Sequence, residues 1–120
     1  MYSEDEIARV KSIYIKLTAI TTIIKRHKGI VEALEDVEGQ PAILMLLIAT
    51  AEQFAKLEKK DSKLLNEFEK DDIKGMISVR NFIAHDYDGI NLVMIENDLR
   101  LNIPKILSII EKILSLQNIG

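Results

Sequence analysis

Apolar residues recur at three- and four-residue steps through most of this chain, which is the period of helices packed on one face. Ile7, Val10, Ile13, Leu17, Ile20 and Ile24 mark the first such stripe. Ser3 followed by Glu6 supplies a capping box at its start. Lys25, Arg26, His27 and Lys28, then Gly29, supply cations and a stop at its end. Ile30 to Val37 forms a short second helix ending at Gly39. Pro41 suits the first turn of the next helix, and Ala42 to Leu57 is apolar on almost every face, as a central helix is. Lys56 to Lys63 alternates in charge and closes it, and Leu64, Leu65 and Phe68 pack as a short turn. Asp71 or Asp72 caps a helix that starts near Ile73, and Gly89 breaks the chain after it. Leu92 to Leu116 is helical again, with Pro104 inside, so that helix either restarts or kinks. No segment alternates with the period of a strand and no hairpin turn is present. The pattern predicts an all-α fold, an antiparallel bundle of four or five helices.

The remaining composition narrows the chemistry. A chain of 120 residues suits one domain spanning 1–120. It has no Cys, which removes disulfides, thiolate metal sites and a Cys nucleophile and fits a reducing cytoplasm. With two His, a histidine-rich metal site is not expected, and neither is a cofactor. A net charge of −3 exerts no global pull on nucleic acid. The acidic, polar start Met1-Tyr2-Ser3-Glu4-Asp5-Glu6 does not read as a secretory signal. The most apolar run, Pro41 to Ala51, is too short to span a bilayer. The expected location is the cytoplasm, away from the membrane.

Reactive side chains concentrate at one place, Arg80-Asn81-Phe82-Ile83-Ala84-His85-Asp86-Tyr87. On an ideal helix over Ile73 to Tyr87, Ile73, Met76, Ile77, Ile83, Ala84 and Tyr87 all fall within roughly 60° of Arg80. A guanidinium in an apolar stripe needs a partner, because leaving it unpaired when buried costs several kcal/mol. Arg80 is therefore expected at an interface or a lined cleft, where it can meet an anion. Asn81 lies one turn before His85 on the same face, with Lys74 and Ser78 nearby, and its amide is placed to set the imidazole's tautomer. Arg80 and His85 point about 140° apart on that helix. They converge only if the helix unwinds near Ala84, if Arg80 reaches around, or if a second subunit supplies half the site. Glu52 is the only acid of the apolar central helix, which makes it the candidate counter-charge for Arg80.

The residues Arg80-Asn81, His85 and Tyr87, following Ile73-Lys74-Gly75-Met76, resemble the motif of the HEPN superfamily, most closely the HepT toxins that pair with minimal nucleotidyltransferase antitoxins. Gln40-Pro41-Ala42-Ile43 and Ala51-Glu52 are similar to that family's central helix. Ile90-Asn91-Leu92 through Ile103-Pro104 is similar to its last helix, proline included, which favours a kinked C-terminal helix. The chain departs from the pattern at Lys70-Asp71-Asp72, where the family often has Trp, and at Ala51, where it often has Gly. The resemblance implies a metal-independent endoribonuclease, with Arg80 and His85 catalytic at a cleft between the protomers of a homodimer. It implies the toxin of a type II or AMPylation-controlled pair, RNA as substrate, a nucleotidyltransferase antitoxin as partner, and Tyr87 as the residue that receives AMP.

The alternative is a non-catalytic helical subunit that binds a nucleotide or presents substrate to a minimal nucleotidyltransferase, with Arg80 and His85 gripping a phosphate without cutting. Elsewhere, His27 reads as a cation at a helix C-terminus. Lys56, Lys59, Lys60 and Lys63 read as a solvated helix end, since Glu58 and Asp61 interrupt them.

Overall fold

A computed structural model describes residues 2–85 and 91–119. The described residues form helices joined by turns, with no strand among them: α1 (Glu4–Arg26), α2 (Ile30–Glu35), α3 (Gly39–Lys59), a 3-10 turn (Lys63–Glu67), α4 (Lys70–His85), α5 (Leu92–Asn97) and α6 (Ile103–Ile119), the last two joined by a π-helical turn (Asp98–Asn102). The expected all-α helical bundle is what the chain forms. None of these helices is long and apolar enough to cross a membrane.

α1 starts where the sequence places it. The Ser3 hydroxyl accepts from the Glu6 amide, and the Glu6 carboxylate accepts from the Ser3 amide. Its end is built one residue earlier than Gly29 indicates. Lys28 takes the left-handed conformation at φ 69°, its amide donates to Lys25 and the Gly29 amide donates to Ile24. These two bonds use carbonyls that a helix end leaves without partners. α3 ends in the same way, with Asp61 at φ 51° and amides of Asp61 and Ser62 bonded to Glu58 and Leu57.

The core runs along the predicted stripes. Val10, Ile13, Leu17 and Ile20 of α1 are buried against α3, whose Ile43, Leu44, Leu47, Phe54 and Leu57 are buried in turn. α4 packs on α3, and α6 packs on α1. Phe54 meets Phe68 edge to face, with centroids 5.5 Å apart, which fixes the connector below α4 to the central helix. That connector is also fastened to α1. Lys60 pairs with Asp5 at 2.9 Å, Tyr2 donates to Glu67 at 3.0 Å, and the Ser62 hydroxyl donates to Glu6.

Two elements differ from expectation. α4 begins at Lys70, not after a cap at Asp71 or Asp72. Both acids lie in its first turn, where the helix dipole favours them. Asp72 is held by Lys105 of α6 at 2.9 Å, and Lys105 reaches Glu69 as well. The C-terminal helix is interrupted, as expected, but by a π turn just before Pro104. There the Ile103 amide donates to Asp98, five residues back. A proline inside a helix cannot donate and crowds the preceding turn, and a widened turn at that point gives its ring room.

Candidate active site

Gly39 and Asp36 fix how α3 leaves α2. The Asp36 carboxylate accepts from the Gly39 and Glu38 amides at 2.8 and 2.9 Å and meets His27 Nε2 at 3.1 Å. His27 Nδ1 faces the Ile23 carbonyl at 2.8 Å. The two amides, followed by His27, hold the Asp36 carboxyl below the usual range. Gly39 cannot carry a side chain here, since a Cβ would lie 2.5 Å from the Ala33 carbonyl oxygen. His27 stands at the C-terminal end of α1, as expected, and through Asp36 clasps that end to the start of α3. This anchoring sets the central helix against which α4 packs.

α4 carries the candidate residues. Its buried side chains are Ile73, Met76, Val79 and Ile83. That stripe is centred about 45° away from Arg80, so Arg80 sits at its edge and is half-buried. Ala84, expected inside, is exposed. The helix stays α-helical through His85, so the chain does not unwind near Ala84, and Arg80 and His85 keep the separation of about 140° that a regular helix imposes. His85 and Asn81 are both exposed, one turn apart, and no hydrogen bond joins them. Tyr87, with Asp86, lies outside the described residues.

Glu52 is not brought to Arg80. It is exposed on the outward side of α3, a face it shares with Met45 two turns earlier. The inward side is taken by Leu47, Thr50, Ala51 and Phe54. Among the described residues, neither Arg80 nor Glu52 is in an ion pair. Arg80 therefore presents its fork of donors at the rim of the bundle, and His85 presents an imidazole to solvent on a different sector. Among the described residues no three His, Cys, Asp or Glu side chains are grouped to hold a metal.

A second feature lies at the other end of α4. A groove of about 550 Å³ opens between the end of α3, the 3-10 turn and the first turns of α4. Lys63, Lys70 and Lys74 line it, together with Glu58, Asp61 and Asp71 and an apolar floor of Leu65 and Ile73. Lys70, Lys74, Ser78, Asn81 and His85 follow one another at four- and three-residue steps and so share one face of the helix.

A family model described as Ribonuclease HepT-like matches residues 4–113. No curated protein and no solved structure matches the chain significantly.

Proposed function

The chain belongs to the HepT-like ribonuclease family, and on that footing we propose that it is the toxin of a toxin–antitoxin pair, an endoribonuclease that cuts RNA without a metal at a site shared by two protomers. The observation that carries this reading is the unbroken helicity of α4 through His85. Arg80 and His85 of one protomer point about 140° apart, and with no unwinding to close that gap, one phosphate meets both only if Arg80 reaches around α4 or a second protomer supplies one of them. Two copies of α4 facing each other across a two-fold axis bring Arg80 of one protomer to His85 of the other.

The chemistry follows from what RNA supplies. The substrate's 2′-hydroxyl is the nucleophile. His85 removes its proton while the O2′–P bond forms and the P–O5′ bond breaks, and the leaving O5′ takes a proton from solvent water. Imidazole is the side chain suited to moving protons near neutral pH. Arg80 meets the charge that develops on the phosphoryl oxygens with several donors at once. The products are a 2′,3′-cyclic phosphate and a 5′-hydroxyl. Asn81, one turn before His85, shares its exposed face but makes no hydrogen bond to the ring, so an orienting role for it requires the assembled, substrate-bound site. Glu52 has no part in this account, because it faces away from Arg80.

Tyr87, two residues beyond His85, is the proposed site of control. AMP transfer to it by a nucleotidyltransferase antitoxin places bulk and negative charge beside the cleft, where an RNA phosphate must bind. Its support is the resemblance of the Arg80–Tyr87 segment and this spacing.

Replacing His85 by Ala tests the nuclease. The purified variant is expected to stay folded and dimeric and to lose RNA cleavage by at least about a hundredfold, with chelator present throughout. Cleavage by His85→Ala at the wild-type rate would contradict the proposal.

A further inference from the structure

The groove at the foot of α4 is built from one stretch of chain, Glu58 to Lys74, which turns back between the end of α3 and the start of α4. Lys63 comes from the connector, and Lys70 and Lys74 come from the first two turns of the helix. The left-handed Asp61 turns the chain so that Ser62 and Lys63 reach this rim. Lys60, the neighbouring cation, is turned instead toward Asp5. Among the described residues Lys63, Lys70 and Lys74 are in no ion pair, so their ammonium groups remain available to an anion. Glu58, Asp61 and Asp71 share the rim and are also outside those ion pairs.

This mixture does not suit a plain polyanion. It suits a nucleotide, whose phosphate needs cations, whose base needs an apolar surface, and whose base edge offers N–H donors to carboxylates or to Asn66. Leu65 and Ile73 supply the apolar surface. The volume is in the range of small-ligand clefts.

Position relative to His85 supplies the second argument. Lys70, Lys74, Ser78, Asn81 and His85 are all exposed. They form one polar line up α4, in which the Ser78 hydroxyl donates to the Lys74 carbonyl at 2.8 Å. From Lys74 to His85 the helix rises about 16 Å, a span that a single strand covers in a few nucleotides.

We propose that this groove is a nucleotide subsite for the substrate RNA. It holds one base and its phosphate a few nucleotides away from the bond cut at His85, and so helps choose where the strand is cleaved. The proposal rests on the ribonuclease reading above, and its test is independent of cleavage.

The ligand is a fluorescent single-stranded oligoribonucleotide with 2′-O-methyl groups, which has no nucleophile and survives the active dimer. Binding to the full-length protein is followed by anisotropy across a range of salt. Lys70→Glu/Lys74→Glu is expected to weaken binding about tenfold and to reduce the salt slope by roughly one, as loss of one or two phosphate contacts does. Lys56→Glu/Lys59→Glu makes the same charge change outside the groove and is expected to stay within about threefold of wild type. Equal losses in the two double variants, an unchanged slope in the groove variant, or no binding by wild type would each overturn the subsite. Cleavage of an unmodified strand by wild type and by His85→Ala decides the nuclease reading separately.

Discussion

Asp36 shows how much a single side chain does in this fold. It caps the α2–α3 turn with two amides and receives His27 from the end of α1. Its carboxyl is held below the usual range, and so are those of Glu6, bonded to Ser3 and Ser62, and Asp5, bonded to Lys60 and Arg9. A carboxylate with a lowered folded pKa stabilises the native state above its unfolded pKa and loses that contribution as pH falls through the folded value. The melting temperature of the wild type is therefore expected to drop steadily below about pH 4. Asp36→Ala is expected to melt lower at pH 7 and to fall less steeply over that acidic window. A variant whose curve runs parallel to the wild type would contradict this role. The capping box of α1 was legible because Ser3 and Glu6 are three residues apart and answer to each other locally. The role of His27 was not, because its partner Asp36 belongs to the next turn of the chain. Arg80 was misplaced for a related reason. Measuring the stripe from Arg80 outward left out Val79, which with Met76 and Ile83 defines the true inward side.

At the scale of elements, α4 carries the proposed site, and its glycine is informative. A Cβ at Gly75 would meet nothing within 4 Å, so no contact within the protomer requires the small residue. Glycine inside a helix costs about 0.5–1 kcal/mol relative to alanine. Gly75→Ala is expected to raise the melting temperature by about 4 °C, read by thermal unfolding at neutral pH. A lower melting temperature would contradict this and would mean that another surface approaches Gly75 closely. The helices themselves were legible wherever one face is apolar. α3 was found, but its inward side was not, because apolar residues surround it and Glu52 gives no sign of facing out. α4 starts one turn earlier than its sequence signals indicate. Asp71 and Asp72 look like caps in sequence, while the residue that holds Asp72 is Lys105, on α6. The π turn leaves no sequence signal apart from Pro104, which marks the trouble but not the solution.

At the scale of the whole molecule, the bundle separates what an active site has to join. α4 is helical to His85, α3 turns Glu52 outward, and Arg80 stands at the edge of the packed stripe. In the proposed site, one protomer displays the two halves on different sectors and a two-fold assembly supplies the juxtaposition. The motif was legible as residues, since Arg80, Asn81, His85 and Tyr87 stand together in the chain. Its incompleteness within one helix was legible from the 100° step alone. What the sequence left open was whether the helix would unwind to close the gap, and α4 does not do so through His85.

The central claim, a site made by Arg80 of one protomer and His85 of the other, is tested most directly by mixing two inactive variants. Arg80→Ala and His85→Ala proteins are each expected to be inactive alone. After unfolding and refolding together, half of the dimers pair one variant with the other, and each such dimer rebuilds one intact site of two. RNA cleavage by the mixture is then expected to return to about a quarter of wild type. A mixture that contains the mixed dimers but stays as inactive as its components, while wild type treated in the same way cleaves, would contradict a site shared in this manner.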